Sequence, residues 1–97
     1  MTKHEKYFQT MLEEHKDFFN SFKALHDKYV SDSEAFQNEF NTEGEKALEI
    51  IRRYEQSLLS KSTTSQFAKF SNNLSGKFWD AVRHYFPKID FIGVTAG

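Results

Sequence analysis

Apolar residues recur along most of this chain with the spacing of a helix. Tyr7, Phe8, Met11, Leu12, Phe18, Phe19, Phe22, Leu25, Tyr29 and Val30 fall in one sector about 140° wide when each residue advances about 100°. The pattern predicts a first helix over about residues 3–30. "SDSE" follows, with Ser31 and Glu34 in capping-box spacing and Asp32 or Ser33 as further caps. A second stripe of Phe36, Phe40, Ala47, Ile50, Ile51, Tyr54 and Leu58 predicts a helix over about 34–60, with Glu49 and Arg53 paired at i,i+4 on its surface.

A rival turn sits inside that second helix. "NTEGE" at 41–45 offers a Thr42–Glu45 capping box and a glycine, a poor helix former. The turn at 31–33 is preferred over one at 41–44. It gives helices of similar length, and the stripe crosses 41–45 without changing phase. Thr63 and Gln66 mark the next start, for a third helix over about 64–86 with Phe67, Phe70, Leu74, Phe78, Ala81, Val82 and Tyr85 on its face. Pro87 ends it, because the residue before a proline is pushed out of the helical region.

The fold class expected is all-α: one domain over residues 1–97, a three-helix antiparallel up-down-up bundle with a short non-helical apolar C-terminal tail. Phe22, Tyr54 and Phe78 are expected in its core. The tail holds Ile89, Phe91, Ile92 and Val94. Trp79 and Phe86 lie about 100–120° from the third stripe, a second seam that needs a cover. The tail is expected to pack there, within one chain or across a dimer. Trp79, Phe86, Phe91 and Ile92 are therefore the expected interface residues.

"HEKYFQTMLEE" (4–14), "HKDFFNSFKAL" (15–25) and the start of "HDKYVSDSEAF" (26–36) repeat one pattern headed by histidine. Eleven residues make three turns, so His4, His15 and His26 stay within about 40° of one another. Neighbours are about 16 Å apart along the axis, too far to share a metal. They read as half-buried packing residues with bonded ring nitrogens. Asp80 and His84 at i,i+4 read as a surface pair.

Composition excludes more than it names. The chain has no cysteine, so disulfides, thiolate nucleophiles and cysteine-based zinc sites are excluded. Eleven phenylalanines imply a core rich in rings. Net charge is −1, which gives no general attraction to nucleic acid. Residues 32–60 carry a net −4 and residues 61–97 a net +3, as if the acidic second element lies beside the basic third. No stretch reaches the roughly 18 apolar residues of a membrane span, and no leader is legible.

No catalytic pattern, phosphate loop, metal set or cofactor motif stands out. The function expected is a small non-enzymatic protein-interaction module, such as an adaptor, assembly factor or immunity-type protein. Its partner would be another protein or a second copy, a homodimer completing a larger bundle, in the cytoplasm. The alternative is a small-ligand or cofactor binder in the bundle core, with His15 or His26 as polar contacts.

Overall fold

The computed structural model describes residues 2–62 and 71–93, and it is all-helical. Its elements are α1 (Lys3–Glu14), α2 (Lys16–Ser31), α3 (Ser33–Ser62), α4 (Ser71–Tyr85) and a closing 3-10 turn over Ile89–Phe91. The Thr63–Gln66 capping box, Phe67, Phe70 and Val94 lie outside the described residues.

The first predicted helix is two helices. His15 leaves the helical region at φ −118°, ψ 36°, with no proline or glycine near it. The hydrogen-bond ladder survives on either side, through His15 N–H to the Met11 carbonyl (3.1 Å) and Phe19 N–H to the His15 carbonyl (2.9 Å). The cause is tertiary. α1 is shared between α3 and α4, whereas α2 lies mainly on α3. Phe8 meets Phe78 and Tyr85 edge-on, while Phe22 and Tyr29 stack on Phe40. One straight stripe cannot face both surfaces.

Local chemistry explains two of the helix starts, those of α1 and α3. Thr2 accepts from the Glu5 N–H (3.4 Å) and its hydroxyl donates to the Glu5 carboxylate (2.8 Å), so it caps α1. The turn at 31–33 is present. Asp32 fills the capping role there: its carboxylate accepts from the Ala35 N–H (3.2 Å). Ser31 turns back onto the Asp27 carbonyl instead. α3 passes through 41–45 unbroken, and Thr42 donates to the Asn38 carbonyl (3.0 Å) as a mid-helix residue does.

Contacts fix the relative directions. Tyr29 meets Gln37, Glu14 meets Tyr54 and Tyr7 lies near Ser57, so α1 and α2 run against α3. Glu55 meets Ser75 and Trp79, Gly44 meets Ile92 and Asn41 meets Gly93, so α4 and the tail also run against α3. Phe8, Met11, Phe19, Phe22, Phe40, Ile51, Phe78 and Phe86 are buried together. Tyr54 is only half-buried, unlike Phe22 and Phe78. Val30, expected on the buried stripe, is 54% exposed. The expected neighbourhood of acidic and basic elements does not take the form of α3–α4 ion pairs among the described residues. Each pair there is local or joins α4 to the tail. Glu49 and Arg53 do pair (2.7 Å), whereas Asp80 lies beside Arg83 (3.9 Å), not His84.

Candidate functional site: the groove beside the C-terminal tail

The tail folds back on its own chain. α4 ends at Tyr85, and the Phe86 N–H still bonds the Val82 carbonyl (2.7 Å). Pro87 then turns the chain, and residues 89–91 coil into a 3-10 turn where a non-helical segment is expected from the sequence. Ile89 drops into the core at 1% exposure. Ile92 settles on Gly44. A Cβ there would lie 2.5–2.7 Å from three carbons of Ile92, so glycine makes the notch.

Polar contacts fasten the same segment. Tyr29 donates to Gln37 Oε1 (2.7 Å). Gln37 Nε2 donates to Asn41 Oδ1 (2.7 Å) and to the Phe91 carbonyl (3.3 Å). Asn41 Oδ1 also accepts from the Gly93 N–H (2.8 Å). Gly93 has φ +91°, a conformation that glycine adopts without a Cβ penalty. This chain leaves buried Gln37 with its amide groups matched, as a buried polar side chain requires.

The four expected interface residues separate. Phe86 is fully buried against Phe19, Phe22 and His26, so it belongs to the core and forms no surface seam with Trp79. Phe78, Val82 and Phe86, at successive four-residue steps, are all fully buried, so the sealed face of α4 is rotated toward Phe86 from the centre of the predicted stripe. Trp79 and Ile92 are half-buried. Phe91 is 44% exposed, with Lys88 Nζ 4.9 Å from its ring centre.

Trp79 and Ile92 line a groove between α3, α4 and the tail. It consists of two hollows, of about 590 and about 300 Å³, which share Leu48, Arg52 and Ile92. Trp79, Arg83, Ile89 and Asp90 complete the smaller one. The Trp79 indole N–H donates to Glu55 (2.7 Å), which also accepts from Ser75, so the ring is held in place. Arg83 lies over that ring at 5.8 Å and bonds Asp90 (3.0 Å). Arg53 is paired to Glu49. Arg52, in the shared middle, makes no ion pair or hydrogen bond among the described residues.

The three repeat histidines have three settings. His4 is half-buried beside the Thr2 hydroxyl. His15 lies at the bend, half-buried, edge-on to Phe19 and Tyr54. His26 is 1% exposed and fully bonded: Nε2 accepts from the Lys88 N–H (3.1 Å) and Nδ1 faces Asp27 Oδ1 (3.4 Å). Burial pushes its imidazole below the ordinary histidine value, while the Asp27 contact works the other way. Beside the bend, Tyr54 bonds Glu14. Burial first, then that bond and the carboxylate charge, push the Tyr54 phenol up to about 12. Glu14 and Tyr54, with Lys6, Thr10 and Ser57, line a hollow of about 550 Å³. No three His, Asp or Glu side chains gather as a metal site among the described residues, and no described helix is long and apolar enough to cross a membrane.

The signal for the tail's seat was in the sequence but unreadable there. Gly44, Gln37 and Asn41 lie at 3–4-residue intervals on one face of α3, yet their spacing does not say what lies against them. The chain matches no protein-family model, no curated protein and no solved structure.

Proposed function

We propose that this chain is a small non-enzymatic protein-interaction module whose working surface is the groove between α3, α4 and the tail. The observation that carries this reading is an apolar floor of Leu48, Trp79 and Ile92 in a groove also lined by Arg52, whose guanidinium has no partner among the described residues. Such a surface fits a peptide segment that lays an aliphatic or aromatic side chain on the floor and brings a carboxylate to Arg52. Buried apolar contact would supply most of the affinity, and the charge pair the orientation. The partner is another protein or a second copy of the chain, which would make a homodimer.

The test compares wild type with Leu48→Asp and Arg52→Glu in pull-downs from the native host, with solution mass measured in parallel. A partner held by wild type and lost by both variants, each shown to be folded, supports the groove. A partner indifferent to both substitutions overturns it. A mass above 11.4 kDa that falls to the monomer value in the variants assigns the partner to a second copy.

The small-ligand reading has one observation in its favour, the polar hollow at Lys6, Glu14 and Tyr54 near His15. His26 makes a poorer contact for a ligand, because the chain itself engages both its ring nitrogens. Chemical-shift changes confined to Tyr54 and Lys6 in a screen of small molecules would favour that hollow over the groove.

A further inference from the structure

Residues 88–93 build one wall of the groove, since Ile92 lines both hollows and Ile89 and Asp90 line the smaller. The first anchor of that wall after Pro87 is the Lys88 N–H on His26 Nε2. The Gln37 and Asn41 amides also hold it, but an amide keeps its donors and acceptors at any mild pH. An imidazole does not. With Nδ1 carrying the hydrogen toward Asp27, Nε2 presents a lone pair to Lys88. A second proton would place an Nε2–H against the Lys88 N–H, two donors facing each other.

We propose that His26 is a proton-sensitive latch: neutral, it holds the tail wall of the groove; protonated, it releases it. Its consequence for partner binding rests on the groove being the working surface, whereas the latch itself does not.

The surroundings of the ring favour this behaviour. From its own helix, Lys23 and Asp27 act on it, and from the tail Lys88 does. α3 places the Phe40 ring against it at 6.0 Å, and the end of α4 places Phe86 at 5.6 Å. A protonated His26 would be a third cation beside two lysines, with one carboxylate to offset it, at a site sealed from water. Lys23 is itself tied to the Tyr85 carbonyl (2.7 Å), so it is held near the ring. With the tail undocked, the ring would regain water. The docked state therefore binds the proton less readily than the undocked one. Docking weakens as pH falls below the ordinary histidine value of about 6.5. The rings of Phe22 and Tyr29 from α2 each stack on Phe40 from α3, so α2 and α3 have their own reason to stay packed.

The experiment uses the full chain and nuclear magnetic resonance between pH 7.5 and pH 5. Imidazole nitrogen shifts at pH 7.5 should show the Nδ1–H tautomer of His26. On acidification, protection of the Lys88 amide, corrected for intrinsic exchange, should fall roughly tenfold. Trp79 emission should change with it, while the Phe22 amide keeps its protection. His26→Gln, which accepts through its amide oxygen and does not titrate, should hold Lys88 protection flat. An Nε2–H tautomer at pH 7.5 overturns the latch even if the variant does not fold. Constant Lys88 protection down to pH 5, or parallel loss at Phe22, also overturns it. A working latch with no groove partner found would leave this inference standing and remove the function proposed for the groove.

Discussion

Around His26 the chain closes from three sides; around His15 it bends and stays open on one. The two residues head successive blocks of the same repeat, so local sequence treats them nearly alike. What differs is the cover. His26 faces Phe40 from α3, Phe86 from the end of α4 and Lys88 from the tail. His15 meets Tyr54, which is itself half-buried and bonded to Glu14 at the rim of a hollow. The lesson is that a helical periodicity specifies which face is apolar, and the elements arriving later in the chain specify how completely each part of that face is sealed.

The largest test of that contrast is Phe86→Ala. Phe86 is fully buried beside His26, so its truncation should cost about 3–5 kcal/mol in denaturant melts. A loss under about 1 kcal/mol would return Phe86 to the surface seam expected from the helical wheel, and the sealed end would lose its centre.

Gly44→Ala should have the next largest effect, and its sign is the informative part. On a helix without neighbours the change would stabilise by about 1 kcal/mol through propensity. Here the new methyl would displace Ile92, forfeiting contact worth roughly 1.5–3 kcal/mol. The net expected is a loss of about 1 kcal/mol. In an Ile92→Ala background the same substitution should stabilise. Stabilisation in both backgrounds would show that Ile92 does not occupy the notch.

pH should separate the two regions at opposite ends of the scale. The folded state disfavours charge on His26. Its contribution is therefore complete above about 6.5 and declines as pH falls below that value. The Tyr54 phenol is pushed up to about 12, so its contribution is complete below about 10 and declines as pH rises toward 12. His26→Gln should flatten only the acid arm of stability against pH, and Tyr54→Phe only the alkaline arm. Either substitution flattening the wrong arm would contradict the assignment. The smallest effect expected is that of Tyr54→Phe at neutral pH, about 1 kcal/mol or less for one partly solvated hydrogen bond.

Much of the helical layout follows from local physics. The 31–33 turn carries a side chain able to cap, and the uninterrupted stripe through Gly44 correctly outweighs the turn-like "NTEGE". Phe22 and Phe78 are legible as core because their stripes repeat over several turns. The bend at His15 is not legible, because no residue there breaks a helix; the break exists because α1 faces α4 as well as α3, whereas α2 lies mainly on α3. The groove is legible only in part. Trp79 and Ile92 stand out as apolar residues in need of a neighbour, yet Arg52 looks like any surface arginine until the tail is laid beside it.

The sequence by itself determined an all-helical chain, most helix boundaries and which faces are apolar, since propensity, capping and periodicity act over a few residues. Only the tertiary structure decided that Phe86 turns inward, that Ile92 finds its seat on Gly44, and that one of two equivalent histidines becomes the tail's anchor. Those outcomes depend on contacts between residues 48 to 67 positions apart, whose geometry exists only after the helices have packed.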